Sequence, residues 1–429
     1  MSERVLELPA HVASLPPRDL ADARRLAALV PEAAGAIEWR MDLAAEEIPP
    51  AALLALDPRP AIVTWRSSRE GGRFDGSQEE YARLVGGAYE AGATVDVELA
   101  RGHLASGALP DRRRVVVSAH HPFALPAGAG EELDAMAATG ALAVKLVAGA
   151  PDLSASLAVA ALQARRRGFA ASIFPMGPAA APGRILSAHF GGALVYGSVD
   201  GAPRTARGQL SISELLSVYG TGRPRYPDAL FGIVAGDASA SLSPRVHNAL
   251  FQARGLDHLY LPLPVSDFER EKPPELEFDP PFRGFSVTRP WKREAAGSGI
   301  PSEDVRATGA ANTLVLDRGR WRADNTDVDG IFDPLADYDT GEGRSAVVLG
   351  AGGTARAAVV AARRLGYEVL VASWRNEAAD ALAEELGVES FAWADLAETD
   401  ADLYVNATPL GSADGDPPAL PPAVLENRP

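Results

Sequence analysis

Short apolar or β-branched runs recur along the first half of the chain: Val5–Leu8, Ala36–Trp39, Ala61–Trp65, Thr94–Val97, Val115–Ser118, Leu142–Leu146, Ala170–Phe174 and Ala193–Tyr196. Between most of them lie Ala/Leu/Arg/Glu stretches with apolar positions at helical spacing, such as Ala21–Leu29, Glu79–Ala91 and Ala155–Arg167. Strands alternating with helices predict parallel βαβ units. Eight strands in roughly 200 residues fit a (β/α)8 barrel near the small end of its range. A doubly wound open sheet competes with it, and periodicity does not separate the two. At Tyr219–Pro227 the pattern breaks into clustered Gly and Pro, which reads as a linker. A second polar break, Asp337–Arg344, precedes the apolar run Ser345–Leu349. The pattern predicts three regions: 1–221, 228–340 and 341–429.

Composition narrows the function classes. A 47% hydrophobic fraction over 429 residues is enough to build cores. With 41 Lys plus Arg against 57 Asp plus Glu, the net charge of −16 argues against nucleic acid or an anionic membrane surface as partner. The absence of Cys removes disulfides, thiolate catalysis and Cys-ligated zinc together. No apolar run reaches the ~18–20 residues that span a bilayer. Met1–Arg18 mixes Glu, Arg, Pro and His without the apolar stretch of a signal peptide, so a cytoplasmic protein is expected. The chain stops at Leu425–Pro429 without an obvious final element, and the expectation is a chain missing its last several dozen residues.

In a parallel barrel, functional side chains gather at the C-terminal ends of strands. There the first half carries Glu38, Arg40 and Asp42, then Arg66 and Glu70, then Asp96 and Glu98, then His120 and His121. Lys145 sits inside Ala-Val-Lys-Leu-Val, and Arg184 and Thr205–Gln209 follow. Singly, each has a bland reading as an ion pair or a structural hydrogen bond. Lys145 is the exception, because an ammonium in a buried strand is costly unless paired or functional. Burial also favours the neutral amine that Schiff-base chemistry needs.

Glu38-Trp-Arg40-Met-Asp42, Thr64-Trp-Arg66 with Glu70-Gly-Gly72, Asp96-Val-Glu98, Ser118-Ala-His120, Lys145, Arg184 and Thr205–Gln209 occur in this order. Together they resemble type I 3-dehydroquinate dehydratase over nearly all of residues 1–220. The resemblance implies that Lys145 forms an imine with substrate and that His120 moves the C2 proton. Glu70 would orient His120 and tune its pKa near neutrality. Arg184 would grip the substrate carboxylate, while Glu38, Arg40, Arg66, Thr205 and Gln209 line the site. His121 stands where the family more often has Asp, leaving a choice between His120 and His121 that the register decides for His120. Thr205 stands where a Ser is common.

The second half changes vocabulary. A run ending at Gly236 leads to Ser241-Leu-Ser243-Pro244, which opens a helix. Ser there is most often only an N-cap, although two hydroxyls at a helix start can also hold a polyol or carboxylate. Next come Ser286-Val-Thr288-Arg-Pro-Trp-Lys292, Gly309-Ala-Ala-Asn312-Thr313 and Asn325-Thr326-Asp327. A Lys and an Asp at the ends of separate segments are commonly a surface ion pair, whereas Asn-Thr occurring twice near strand ends is less ordinary. Ser345–Leu349 then runs into Gly350-Ala351-Gly352-Gly353-Thr354-Ala355 and a long helical stretch, the context a dinucleotide fingerprint requires. The next strand ends in Ser373-Trp374-Arg375; with no acid for a ribose hydroxyl, Arg375 favours the 2′-phosphate of NADP. Asn406-Ala-Thr408-Pro-Leu-Gly411 closes a further strand where the nicotinamide end should lie.

From about Tyr226 onward these motifs resemble shikimate dehydrogenase. The resemblance implies a two-lobed α/β unit with a Rossmann lobe. Ser241, Ser243, Thr288, Asn312 and Asp327 would bind shikimate, and Lys292 and Asp327 would relay a proton as hydride moves. NADP(H) would be held by Gly350, Ala351, Gly352, Gly353, Thr354, Ala355, Arg375, Asn406 and Thr408, with no metal. Ser286 replaces a usual Asn, and Ser373-Trp374-Arg375 replaces Asn-Arg-Thr.

The leading expectation is a bifunctional enzyme that dehydrates 3-dehydroquinate and reduces 3-dehydroshikimate, with small-molecule substrates and a homodimer left open. Its alternatives are a dehydratase whose second half is incomplete and a quinate or shikimate sensor.

Overall fold

The computed structural model describes every residue except 1–5, 102–108, 167, 338–340, 412–413, 423 and 425–429. The chain folds as two compact units. The first comprises Met1–Ile233, Asp237–Asp267 and Glu275–Phe282; the second comprises Val234–Gly236, Phe268–Pro274 and Arg283–Pro429.

In the first unit the strands are β1 (Ala10–Leu15), β2 (Ala36–Arg40), β3 (Ala61–Thr64), β4 (Thr94–Glu98), β5 (Val115–His121), β6 (Ala143–Gly149), β7 (Ala171–Met176) and β8 (Leu194–Gly197). They run in the order β7-β6-β5-β4-β3-β2-β1-β8. The first strand pairs in parallel with both the second and the eighth, which excludes an open doubly wound sheet. The β7–β8 seam has no regular ladder. Ala193 N–H donates to Ala171 O at 2.9 Å, and Leu194 N–H donates to the Ser172 hydroxyl at 2.7 Å, leaving a nearly closed (β/α)8 barrel.

One expected strand is displaced. Val5–Leu8 does not form the first strand, which is Ala10–Leu15; Val5 lies outside the described residues. Leu6 is buried among Val12 and Ala36 and contributes to packing rather than to the ladder.

The strands bury both faces, and their alternation sorts two chemistries. Leu15, Ile37, Trp39, Val63, Val97, Val117 and Leu146 point outward into the layer shared with the helices. The other phase points inward, where Val12, Ala36, Ile62, Val116 and Ala143 fill the barrel floor. Two or four residues further along that inward phase stand Glu38, Arg40, Asp96, Glu98, His120 and Lys145. A period of two therefore places the ionisable groups above an apolar plug, at the strand ends.

The remaining strands form two sheets. The first contains β9 (Ala229–Ala235), β10 (His258–Pro264), β11 (Phe282–Val287), β12 (Ile300–Pro301), β13 (Thr313–Asp317) and β14 (Arg320–Asp324) in the order β10-β9-β11-β13-β14-β12. The third-from-last strand, β13, is antiparallel to its neighbours β11 and β14. The second sheet contains β15 (Ser345–Leu349), β16 (Glu368–Ala372), β17 (Glu389–Ser390) and β18 (Leu403–Asn406), all parallel in the order β17-β16-β15-β18. Ala346 and Val348 pack on Ala355, Ala358 and Val359 of the helix Gly353–Arg364, giving the strand–turn–helix of a Rossmann half. Among the described residues, no helix is long and apolar enough to cross a membrane.

Candidate active sites

A cavity of about 390 Å³ opens at the C-terminal ends of the barrel strands. Of the residues singled out in the first half, Glu38, Arg40, Arg66, Glu70, His120, Lys145, Arg184, Thr205 and Gln209 line it. His121 does not: its ring meets Glu132 at 2.7 Å on the helix Ala129–Ala138. Of the two histidines, His120 is the one that lines the cavity.

Lys145 is buried but not isolated. Its Nζ donates to Glu38 Oε1 at 3.1 Å and to Asp96 Oδ2 at 3.2 Å, and it lies 4.0 Å from the centre of the Tyr196 ring. Burial alone would push both carboxyls up. For Glu38 the charges of Lys145 and Arg40 and the Ser14 hydroxyl at 2.5 Å outweigh that and hold it below its ordinary value. Asp96 is buried too, yet Arg66, Lys145 and the Ser118 hydroxyl bring it down to about 2. Both carboxylates therefore carry charge beside the amine.

Arg66 anchors the acidic side of the site. Its guanidinium donates to Asp96 at 2.8 Å, to Glu70 at 2.9 Å and to Glu98 at 3.2 Å. Gly72 makes room for this segment: a Cβ there would sit 2.1 Å from the Arg66 carbonyl oxygen. The left-handed Gly71, at φ 83°, ends the short helix Ser68–Glu70 and sets Glu70 at the cavity wall.

Glu70 Oε2 lies 3.0 Å from His120 Nδ1. Burial raises the Glu70 carboxyl to about 7 despite Arg66, with Glu98 and Asp96 adding to the rise. His120 departs from expectation: instead of sitting near neutrality, its pKa is well below the usual histidine value. Burial is the main cause, and the nearby Arg66, Lys145 and Arg40 charges add to it. Sequence order does not show that three cations converge on one ring.

Arg184 is buried behind the cavity, with its guanidinium carbon 4.6 Å from the Phe174 ring centre. Burial lowers its pKa to about 10, with Glu38 opposing. Its Nη1 reaches the Tyr196 carbonyl at 3.4 Å, while its Nε has no partner. A buried guanidinium with donors to spare suits a carboxylate ligand.

In the second unit, Lys292 Nζ donates to Asp327 Oδ2 at 2.6 Å and to the Thr354 hydroxyl at 3.4 Å. Asn312 braces the same Asp: its Nδ2 donates to Asp327 Oδ1 at 2.7 Å, and its Oδ1 accepts from Thr326 N–H at 2.9 Å. Thr288 follows β11, and its backbone N–H donates to Val234 O at 3.0 Å. Ser241 and Ser243 belong to the first unit. Ser243 begins the helix Ser243–Ala253, and its N–H donates to the Ser241 hydroxyl at 3.2 Å, so Ser241 helps shape that helix start.

The Gly350–Ala355 turn fits a pyrophosphate. Gly350 has φ 115°, and a Cβ there would lie 2.8 Å from Ala407 O, whereas around Gly352 there is open space. The first-turn N–H groups of the helix Gly353–Arg364 have no intrahelical acceptors and can bind an anion. Ala355 is wholly buried, so its part is to let helix and sheet pack closely. Arg375 follows β16 and lies beside the exposed Trp374, 5.5 Å from its ring centre. Asn406 and Thr408 bond each other: Asn406 Oδ1 accepts from Thr408 N–H at 3.0 Å and from its hydroxyl at 2.7 Å, which fixes the loop after β18.

Residues 11–223 match the family model of type I 3-dehydroquinase, and residues 233–314 match that of the shikimate dehydrogenase substrate binding domain. A shikimate dehydrogenase (NADP(+)) of Oleidesulfovibrio alaskensis is 39% identical over 218 residues, which cover 48% of this chain and 75% of that protein. The chain belongs to the shikimate dehydrogenase family, with a type I 3-dehydroquinase region ahead of it. A chloroplastic bifunctional 3-dehydroquinate dehydratase/shikimate dehydrogenase of Arabidopsis thaliana is 30% identical over 389 residues, 84% of this chain. The chain spans 64% of that relative's length. A solved structure of dehydroquinate dehydratase and shikimate dehydrogenase from S. pombe AroM is 22% identical, with a TM-score of 0.42, and covers 99% of this chain and 85% of that one.

In the 3-dehydroquinase region, Ser14 and Tyr196 went unnoticed in the sequence. Both stand on the inward phase, Ser14 two residues after Val12 and Tyr196 two after Leu194, so a register count would have found them. In the shikimate dehydrogenase region the unnoticed residue is Arg356. It is buried, donates to Thr308 O at 3.0 Å and Glu385 at 2.5 Å, and holds the nucleotide-turn helix. No sequence signal marks it among the surrounding alanines.

Proposed function

We propose that the chain carries out two consecutive steps of the shikimate pathway: the barrel dehydrates 3-dehydroquinate, and the segment after it reduces 3-dehydroshikimate to shikimate with NADPH. The observation that carries the first step is Lys145 Nζ at 3.1 and 3.2 Å from two buried carboxylates, in a cavity that also holds the His120–Glu70 pair. Lys145 attacks the C3 ketone as the free amine, its ammonium proton passing to the ketone oxygen, which leaves as water when the iminium forms. The iminium keeps a positive charge where the ammonium stood, so Glu38 and Asp96 stabilise it without rearrangement. It withdraws electrons from C2, and His120 takes the C2 proton to give an enamine. The enamine expels the C1 hydroxyl, His120 returns its proton to that oxygen, and water departs. Hydrolysis of the remaining iminium frees 3-dehydroshikimate and restores Lys145. Arg184 takes the substrate carboxylate through the terminal nitrogens of its guanidinium.

In the second step Lys292 and Asp327 face one another at 2.6 Å and pass a proton to or from the carbonyl oxygen being reduced. Bound NADPH supplies the hydride; Gly350, Gly352 and the first turn of the helix Gly353–Arg364 would hold its pyrophosphate, and Arg375 its 2′-phosphate. That the 39%-identical relative is a shikimate dehydrogenase (NADP(+)) supports that choice.

Borohydride reduction in the presence of 3-dehydroquinate tests the first step. We expect an irreversible adduct on Lys145, absent from Lys145→Ala. Wild-type protein that takes up no label would remove the dehydratase assignment. Reduction of NADP with shikimate, followed by absorbance, tests the second, and a flat trace would remove the dehydrogenase assignment.

A further inference from the structure

Behind Arg184 lies a second, much smaller cavity between the helix Ala180–His189 and strands β7 and β8. The space open to a water's centre is about 20 Å³, and Ile173, Leu194 and Leu215 form apolar walls around it. Arg184, Ser187 and Tyr196 also line it. Each of these three has a buried polar atom without a hydrogen-bond partner: Arg184 Nε, the Ser187 hydroxyl and the Tyr196 hydroxyl. Buried polar groups are seldom left unsatisfied, because burial strips their hydration without return. Here the three residues that carry them line one space, and that space is of the size that a single water requires, roughly 10–15 Å³ or more.

We infer that one buried water joins Arg184 Nε–H to the Ser187 and Tyr196 hydroxyls, and that Ser187 is thereby a positioning residue for the guanidinium that takes the substrate carboxylate. The water accepts from Nε–H, donates to one hydroxyl and exchanges a bond with the other, reaching the usual complement of about three bonds. Nε–H tied from behind turns the two terminal nitrogens of the guanidinium toward the main cavity, which Arg184 and Tyr196 also line. Tyr196 carries two functions at once: its ring packs 4.0 Å from Lys145 Nζ while its hydroxyl faces the water. Ser187 does not itself line the main cavity, so any kinetic effect of it passes through Arg184 or Tyr196.

The inference rests on the dehydratase reading of the barrel. Its test uses the full chain as wild type, Ser187→Ala, Tyr196→Phe and the double variant, with 3-dehydroquinate as substrate. Removing the Ser187 hydroxyl should raise KM about fivefold and change kcat less than about twofold, because a looser carboxylate grip weakens ground and transition state alike. Through one shared water the two losses should not add, so the double variant's KM should exceed the larger single effect by less than about twofold. Borohydride trapping on Lys145 runs in parallel. An unchanged KM in Ser187→Ala, or fully multiplicative effects in the double variant, with trapping intact, would overturn the water-mediated link and leave the dehydratase standing. Absence of trapping in wild type would instead overturn the reading on which it rests. The Tyr196→Phe arm keeps the test open should Ser187→Ala fold poorly.

Discussion

His120 Nδ1 and Glu70 Oε2 stand 3.0 Å apart, and the carboxyl, not the imidazole, is the member of that pair poised near neutrality. With Glu70 ionised, Nδ1 carries the ring proton and donates it, leaving the other ring nitrogen free to act as base. Protonating Glu70 reverses the bond and moves the ring proton to the nitrogen that the reaction needs bare. Burial sets Glu70 at about 7, so kcat/KM for dehydration should rise with pH through about 7 and level off above it. Glu70→Gln removes the titrating group. We expect kcat to fall about 100-fold and the limb near neutrality to vanish. A pH–rate profile that keeps its limb in Glu70→Gln would assign it elsewhere.

The same carboxyl affects stability in the opposite sense. Its folded value of about 7 lies above its ordinary 4.5, so between those limits the folded state holds a proton that the unfolded chain has lost. Stability contributed by Glu70 is therefore present below 4.5 and lost as pH rises toward 7. Asp96 behaves conversely: its folded value of about 2 lies below 3.8, so its contribution is present above 3.8 and lost as pH falls toward 2. Arg66 is the largest source of that contribution and Lys145 the next. Lys145→Met leaves Glu38 and Asp96 buried beside a neutral side chain, and breaking such a pair from one side costs about 3–5 kcal/mol. We expect faster hydrogen exchange at β4 and β6 amides by about that free energy at pH 7, with a smaller deficit at pH 4, where the stranded Glu38 can take a proton. Equal exchange in variant and wild type would mean that the ion cluster adds nothing to the barrel.

The barrel's strands and the residues of its cavity were legible because period-two alternation puts Glu38, His120 and Lys145 on one phase with apolar Ala36, Val116 and Ala143. Closure was not legible. It depends on β1 pairing with β8 across nearly two hundred residues, and on Ser172 lending its hydroxyl to the Leu194 N–H in place of a ladder bond. His120 is depressed chiefly by its burial, with Arg66, Lys145 and Arg40 on three other segments adding to it, and no local pattern shows that surrounding. In the second half the residues were legible but their tasks were less so. Asn312 and Gly353 each have a neighbour in space that changes the argument about them.

Asn312 was expected to hold substrate, yet its side chain already serves Asp327, Thr326 and Thr313. It donates to Asp327 Oδ1 at 2.7 Å and accepts from the Thr313 hydroxyl at 2.9 Å. The Asp327 carboxylate is thus held from both ends, by Asn312 on one oxygen and by Lys292 on the other. Asn312→Ala should free the Asp to rotate. We expect kcat for shikimate oxidation to fall about 10- to 100-fold, the scale of a misplaced catalytic group, with a loss of about 1–3 kcal/mol of local stability from the unpaired partners. A variant with raised KM and normal kcat would return Asn312 to a plain substrate contact.

Gly353 was expected to serve the cofactor, and its missing side chain also makes room for Lys292. A Cβ at 353 would lie 2.7 Å from Lys292 Cδ, closer than side chains approach one another, and a tight 3.1 Å from Lys292 Cβ. The aliphatic stem of the proposed proton donor is therefore packed against the first residue of the helix Gly353–Arg364, and Thr354 meets its Nζ at 3.4 Å. Gly353→Ala must push that stem aside and lengthen the 2.6 Å contact with Asp327. Gly352 is the control, because a Cβ there meets nothing within 4 Å of protein and would face the nucleotide. We expect Gly353→Ala to lower kcat about 10-fold or more while KM for NADP shifts less than about threefold. Gly352→Ala should do the reverse, raising KM for NADP and sparing kcat. If both variants act on KM alone, Gly353 belongs to the phosphate cradle and Lys292 tolerates the added methyl; if kcat falls only at 353, the nucleotide turn and the proton relay are packed as one piece.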